Sequence, residues 1–255
     1  MIFYFTGTGN SLYVARELDS QPISIPQILH SDDLTFTADS IGIVCPIYGH
    51  EMPAMVKQFI RKATFQTDYL YVVLTYGKLH GGAAEIADKL LRDAGKKADY
   101  ITTVLMVDNF LPAFDMNEQV RLNKQVENQI VSVRSAVQRR QHGIQKAAFK
   151  DRITHKMYLR MVKNQPETVW AAYRVNDECI ACGICAKVCP GGCISIENGK
   201  AAHHLENCQA CMACVHACPK RAIQFTIKEV NPQARYRNEH ISLDELIAAN
   251  NQVQN

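Results

Sequence analysis

The chain has 255 residues, 47% of them hydrophobic and 21% charged, with a formal net charge of +3. This composition excludes a disordered chain and allows one or two domains with a sizeable core. No apolar run approaches the roughly 18 residues of a membrane helix, and the mild net charge argues against nucleic-acid binding. The opening MIFYFTGTGNS lacks the basic and apolar regions of an export signal, so the expectation is a cytoplasmic protein without a membrane span. Charge is nevertheless uneven. Residues 1–130 carry net −4 and residues 131–174 net +8. Of the 10 cysteines, Cys45 stands alone and the other nine lie from Cys179 to Cys218. Without an export signal, such a cluster points to metal binding or catalysis rather than to disulfides.

In chain order, Ile2–Thr6 is an apolar run ended by glycines and reads as a buried strand. Leu12, Ala15 and Leu18 place a helix on Ser11–Leu18. Pro22–Ile25 reads as a short edge strand and Ile41–Pro46 as a strong one. Pro53 suits a first helical turn, and Val56, Phe59 and Ile60 recur at helical spacing before Arg61 and Lys62. Tyr69–Thr75 is a further strand, and Ala83, Ile86, Ala87, Leu90, Leu91 and Ala94 form a helix stripe stopped by Gly95. Ile101–Val107 is the last strand, and one long helix is expected from Asn117 to about His142. Apolar strands alternating with helices predict a doubly wound, five-stranded parallel sheet covered on both faces. Ligands of such sheets bind beyond the C-terminal strand ends.

The loop Thr6-Gly7-Thr8-Gly9-Asn10-Ser11 follows the first strand and opens a helix. Its glycines let backbone N–H groups face an anion, and the helix N-terminus adds its dipole. It holds no Lys, so it is not a Walker loop, and it lacks the full glycine spacing of a dinucleotide fingerprint. A plain glycine-rich turn is the alternative to phosphate binding. With Ile2, Phe3, Tyr4, Thr6, Gly9, Ser11, Ala15 and Leu18, the first 110 to 140 residues resemble the flavodoxin family. Ser11 stands where that family usually has Thr. The resemblance implies FMN, with its phosphate held by the loop and no basic side chain. It also implies that Pro46, Ile47, Tyr48, Gly49 and His50, and Thr75, Tyr76, Gly77, Gly81 and Gly82, flank the flavin ring. Tyr48 is the first candidate for stacking on the ring and Tyr76 the second; ordinary packing is the alternative. Near a flavin, His50 reads as a base and Cys45 as a reactive thiol, with a capping or solvent-facing imidazole and a buried small hydrophobe as the commoner alternatives.

Cys179, Cys182, Cys185 and Cys189 follow C-x2-C-x2-C-x3-C before Pro190, and Cys208, Cys211, Cys214 and Cys218 repeat the pattern before Pro219. Over 16 aligned positions seven residues are identical, so the structure is duplicated. Three thiolates on one tight loop reach three irons of a cubane; the fourth reaches the other cluster. That assigns one [4Fe–4S] cluster to Cys179, Cys182, Cys185 and Cys218, and a second to Cys189, Cys208, Cys211 and Cys214. Zinc is the alternative, though it does not need two complete runs. The segment resembles the bacterial two-cluster ferredoxins. Cys193 aligns with Ala222 and reads as a packing residue. Val175–Glu178, His204–Asn207, Ile194–Ile196 and Ile223–Phe225 are the expected short strands of a small α+β ferredoxin domain.

Lys146, Lys150, Arg152, Lys156, Arg160 and Lys163 flank Ile153, Met157 and Met161 at helical spacing. Such a helix either docks an acidic partner or a membrane surface, or packs between domains, as Phe149, Tyr158, Trp170 and Tyr173 favour. Ser242-Leu243-Asp244-Glu245 matches a capping box and predicts a short helix. The expected organisation is a flavodoxin-like domain over 1–142, a basic connector over 143–174, a ferredoxin-like domain over 175–228 and a tail over 229–255. As a whole it resembles the ferredoxin-type flavoproteins of anaerobes. That resemblance implies electron transfer between FMN, two [4Fe–4S] clusters and a redox partner protein. A flavin-dependent reductase of a small substrate and a non-catalytic redox sensor are the rival readings.

Overall fold

The computed structural model describes residues 1–163 and 172–253. The chain divides into two compact units. The first holds residues 1–5, 11–106 and the chain from Lys124 through the helix Phe149–Val162; the second holds residues 6–10, 107–123 and the chain from Ala172 onward.

In the first unit, β1 (Ile2–Tyr4) precedes α1 (Asn10–Leu18), β2 (Ile23–Ser24) and α2 (Ile25–Ile28). Then come β3 (Thr35–Thr37), β4 (Ile41–Pro46), α3 (Ala54–Lys62) and β5 (Thr64–Gln66). β6 (Leu70–Tyr76), α4 (Ala83–Asp93) and β7 (Tyr100–Leu105) follow. After α5 (Met116–Gln119), which belongs to the second unit, come α6 (Val126–Gln138), β8 (Gly143–Ile144) and α7 (Phe149–Val162).

A mixed α/β fold results, with a six-stranded sheet in the order β2-β1-β4-β6-β7-β8. Every neighbouring pair in it is parallel. The central strands are buried along nearly their whole length, which is why they read as continuous apolar runs. The strand order reverses between β1 and β4, the kind of position where such sheets bind ligands. The sheet has one strand more than the five expected. The sixth, β8, has two residues and is held by Gly143 N–H to Asp99 O at 2.8 Å and Gln145 N–H to Ile101 O at 2.9 Å. It begins at Gly143, just beyond the helix expected to end near His142, so no apolar pattern announces it.

Two further differences have local causes. The long helix expected over 117–142 is broken into α5 and α6. Asp115 caps α5 by accepting from Asn117 N–H, Gln125 adopts φ 53°, and the Lys124 ammonium donates to Gly77 O (3.1 Å) and Met106 O (2.7 Å). In addition, β3 and β5 pair as a separate parallel ribbon that sets Phe36 and Phe65 against Phe3 and Phe59. The Phe3 ring lies 4.5 Å from Phe36 and 5.0 Å from Phe59, so this aromatic group closes one part of the core.

The second unit contains β9 (Tyr173–Val175), α8 (Ile184–Lys187), β10 (Ile194–Glu197) and β11 (Lys200–His203). α9 (Ala213–Ala217), β12 (Ile223–Phe225) and α10 (Leu243–Asn250) complete it. β9 pairs with β12 and β10 with β11, both antiparallel. Two of the expected strands sit a few residues earlier than read. Asn176 turns the chain by accepting from Glu178 N–H through its side chain, and Cys208 N–H closes a turn on Leu205 O. Val215, Met212, Ile223, Phe225 and Tyr236 form a small core together with cysteines. A buried Arg235–Glu229 pair at 2.8 Å ties residues 229–235 to it, since Glu229 also accepts from Phe225 N–H and Arg235 donates to Val215 O. Ser242 and Glu245 form the expected capping box of α10.

At Gly42 in β4, a Cβ would strike the buried Tyr71 ring. Gly42→Ala is therefore expected to lower unfolding free energy by about 1–3 kcal/mol through overpacking. Denaturant titration followed by circular dichroism measures it, and an unchanged midpoint contradicts the contact.

Candidate functional site

The two cysteine runs fold into loops with the same backbone. Ala181 (φ 53°) matches Ala210 (φ 50°), Gly183 (74°) matches Met212 (60°), and Gly192 (62°) matches Arg221 (53°). Four of these six are side-chain-bearing residues in the left-handed region, a conformation costing on the order of 1 kcal/mol each. In both halves the same bond recurs: Cys193 N–H donates to Cys189 Sγ, and Ala222 N–H to Cys218 Sγ, each at 3.2 Å. The left-handed positions are thus duplicated along with the cysteines.

Cys179, Cys182, Cys185 and Cys218 line one pocket, with Ile180, Ile196 and Ile223 around them. Burial pushes the Cys185 thiol up to about 11, and Cys218, Cys182 and Cys179 add to the shift as close neighbours. Cys211 is raised by burial and then by Cys189 and Cys208; Cys214 is raised by burial and then by Cys211, Cys189 and Cys208. Thus the fourth cysteine of each run lies beside the first three of the other. Two sets of four thiols, each with no other donor type, are the donor set of two iron–sulfur clusters.

Cys193 is buried, and its thiol donates to Glu206 O at 3.2 Å. Its backbone N–H donates to Cys189 Sγ, and contact with Cys193 is the leading cause that lowers Cys189 to about 7 and Cys208 to about 5. Besides packing, it supports two members of the second set, a role that its alignment with Ala222 does not reveal.

The loop after β1 lies in the second unit as far as Asn10. Thr6 and Thr8 are buried, and Gly9 N–H donates to Thr6 Oγ1 at 3.1 Å. Asn109 Nδ2 donates to Thr8 Oγ1 at 2.7 Å, and Asn10 Nδ2 to Val107 O at 3.1 Å. The C-terminal segment seals the loop: Asn238 N–H reaches Thr8 O (2.9 Å), Asn250 Nδ2 reaches Thr6 O (3.0 Å) and the Tyr236 hydroxyl reaches Asn10 Oδ1 (2.6 Å). These contacts orient the loop's carbonyls. Among the described residues, none accepts from the backbone N–H of Gly7, Thr8 or Asn10. Buried N–H groups are rarely left unpaired, so the loop fits an anion such as a phosphate. Asn109, Tyr236, Asn238 and Asn250 carry no motif in the sequence; only the fold brings them here.

Ser11 and the remaining candidates belong to the first unit. Ser11 Oγ lies 2.8 Å from Thr75 Oγ1, and Ile47 N–H donates to Thr75 O at 2.9 Å. Pro46 ends β4, and Tyr48 and Glu51 exchange backbone bonds around a tight turn through Gly49 (φ 56°) and His50 (φ 70°). Tyr48 meets Phe5 edge-on at 6.4 Å, while Tyr76 hydrogen-bonds Thr103 and meets His80 edge-on at 5.1 Å. Gly77 is held through its carbonyl by Lys124, and Gly82 (φ 82°) opens α4. A Cβ on Gly81 would strike the His50 ring, so the loops after β4 and β6 are in contact. His50 is buried rather than solvent-facing, and Cys45 is a buried strand residue whose thiol burial pushes up. The basic segment forms α7, but Ile153 (42%), Met157 (67%) and Met161 (57%) are exposed rather than packed. Trp170 lies outside the described residues.

Residues 178–222 match the model of a 4Fe-4S dicluster domain. An uncharacterized ferredoxin of Methanocaldococcus jannaschii is 40% identical over 69 residues, which is 26% of this chain and 87% of that protein. Pyruvate synthase subunit PorD of the same organism is 35% identical over 66 residues, 24% of this chain and 76% of that one. A component of the ion-translocating oxidoreductase complex of Methanosarcina acetivorans is 46% identical over 47 residues, 18% of this chain and only 18% of that protein. Among solved structures, the Trp repressor binding protein of Bacillus subtilis aligns with 56% of this chain and 99% of its own, at 14% identity and a TM-score of 0.35. Among the described residues, no helix is long and apolar enough to cross a membrane.

Gly9 (φ 100°) would carry a Cβ 3.0 Å from Asn238 Cβ and 3.1 Å from Ile241 Cβ. Gly9→Ala is expected to destabilise the chain by about 1–3 kcal/mol through strain and crowding. Thermal unfolding with a midpoint equal to the parent's contradicts this seat for the C-terminal segment.

Proposed function

We propose, for a chain that belongs through residues 178–222 to the 4Fe–4S dicluster ferredoxins, that it passes electrons between a bound FMN, two cubane clusters and a protein redox partner. The electron-transfer role comes from the ferredoxin segment; the flavin and its coupling to the clusters are the added step. The observation that carries the reading is the pair of backbone-matched cysteine loops in which each fourth cysteine lies beside the other loop's first three.

In this reading, Cys179, Cys182, Cys185 and Cys218 hold one cluster and Cys189, Cys208, Cys211 and Cys214 the other. Backbone N–H groups from Ala201, Cys193 and Ala222 donate to the sulfurs of Cys179, Cys189 and Cys218. Such bonds spread the thiolate charge and favour the reduced, more negative cluster. Thr6, Gly7, Thr8, Gly9, Asn10 and Ser11 would hold the FMN phosphate, chiefly through the N–H groups of Gly7, Thr8 and Asn10 and the loop's hydroxyls, without a cationic side chain. Pro46, Ile47, Tyr48 and Gly49, with Thr75, Tyr76, Gly77, Gly81 and Gly82, flank the ring, Tyr48 being the stacking residue. Bound FMN supplies a two-electron centre, whereas each cubane exchanges one electron. The chain's own task is to hold these centres, shield them from water and fix their surroundings.

Anaerobically purified protein is expected to contain one FMN and about eight irons with eight sulfides per chain. Cys189→Ser is expected to lose about four of those irons, because it removes a ligand, while Cys193→Ala keeps all eight. Iron and sulfide assays measure both. Zinc in place of iron, or equal iron in the parent and Cys189→Ser, overturns the ligand assignment; protein without flavin overturns the FMN step alone.

A further inference from the structure

Beyond the ends of β4 and β6, three separate elements bring a compact titratable group together. The loop after β4 supplies His50, the loop after β6 supplies His80, and α7 supplies Asp151, His155 and Tyr158. His50 Nδ1 lies 3.2 Å from His155 Nδ1, and the His50 ring centre lies 5.0 Å from that of Tyr158. His80 Nδ1 accepts from Gly82 N–H at 3.3 Å, which leaves its proton on Nε2, 3.5 Å from Asp151 Oδ2. Asp151 is 4% exposed and also accepts from Ala148 N–H. His50 is 9% exposed and holds a left-handed backbone at φ 70°. Gly81 lacks the Cβ that would strike the His50 ring, and Gly49 the one that would strike the Tyr158 hydroxyl.

Neither commoner use of such a group fits. Among the described residues no histidine and carboxylate trio converges on one ion. A structural latch needs no buried histidine in strained backbone, since α7 is also tied to α4 by Arg152 on Glu85. An Nδ1–Nδ1 contact has a distinctive protonation chemistry. One ring must donate and the other accept, so the pair is stable with no charge or with one, and a second proton breaks the bond. Buried Asp151 favours the single positive charge.

Resting on the flavin reading, we propose that His50 and His155 form an acid–base site that takes up one proton when a ring bound at this edge of the sheet is reduced. Bound FMN would take up two electrons, from the clusters or from dithionite in the test, with one proton and one negative charge left over; His50 and His155 would take a second proton from solvent and gain the balancing positive charge, and reoxidation would return both protons and both electrons. By linkage, the negative ring raises the proton affinity of the pair, and the protonated pair favours reduction of the ring.

The charges facing His50 are few. On its own loop, Glu51 is turned onto Lys57 at 2.8 Å. From the loop after β6 come His80 and Tyr76, from α4 comes Glu85 in its pairing with Arg152 and Lys146, and from α7 come Asp151, His155 and Tyr158. Burial lowers the proton affinity of His50, as do His155 and His80, while Asp151 raises it.

The test counts protons taken up from a pH indicator during anaerobic dithionite reduction of the full-length, FMN-loaded chain near pH 7. The parent is expected to take up more than His155→Gln and His50→Gln, by up to about one proton per flavin. Lys156→Gln, an exposed change on the same helix, is expected to match the parent. Equal uptake in the parent and both histidine variants, with flavin bound, overturns the proposal. Should the chain bind no flavin, the flavin reading fails by that result. The pair is then judged by nuclear magnetic resonance titration of its imidazole protons. His155→Gln raises the His50 midpoint if the pair is real, and an unmoved midpoint overturns it.

Discussion

Eight cysteine sulfurs crowded into a small unit are the constraint on which the rest of that unit depends. Burial, with the neighbouring cysteines, pushes Cys185 up to about 11 and raises Cys211 and Cys214, while contact with Cys193 lowers Cys189 and Cys208. The backbone also holds Ala181, Ala210, Met212 and Arg221 in the left-handed region. Strain and desolvation of this kind, in a small core that includes Cys185, Cys189, Cys193 and Cys214, need a compensating term. Thiolate–iron bonds provide one, because a cluster that binds only the folded chain adds its binding free energy to folding. Twofold repetition of the strain at matched positions argues for two such groups rather than one.

A second constraint is the buried loop Thr6–Asn10. Its carbonyls and side chains are committed to Asn109, Tyr236, Asn238 and Asn250, while the N–H groups of Gly7, Thr8 and Asn10 face no acceptor among the described residues. A loop organised this way fits an anion. With no cationic side chain in it, an anion held there would rest on hydrogen bonds and the dipole of α1, terms that depend on geometry and are less sensitive to salt than an ion pair with Lys or Arg.

Much of this was legible in the residues. The strands Ile41–Pro46 and Leu70–Tyr76 are apolar throughout because both sheet faces are covered, and α3 and α4 carry clear stripes with matching stops. Cysteine spacing is legible for a different reason: a cubane tolerates few arrangements of three thiolates on one loop. What escaped was set by partners distant in sequence. The break between α5 and α6 follows from Lys124 reaching two carbonyls, one of them on Gly77. β8 is two residues that gain strand geometry only by pairing with β7. Tyr236 and Asn250 meet the loop after β1 across more than 200 residues, and no local pattern encodes that. The basic helix was legible as a helix, but its apolar stripe faces solvent while Asp151, His155 and Tyr158 face the protein.

An electron-transfer chain with a two-electron centre and two one-electron centres converts between partners that exchange electrons in pairs and partners that exchange them singly. The central claim is that the centres communicate within one chain. Flash photoreduction of the flavin, followed optically at flavin and cluster wavelengths over a range of protein concentrations, tests it directly. The account predicts that reduced flavin decays as the clusters become reduced, with one shared rate constant independent of concentration. A rate proportional to concentration, or clusters that stay oxidised while reduced flavin persists, contradicts it.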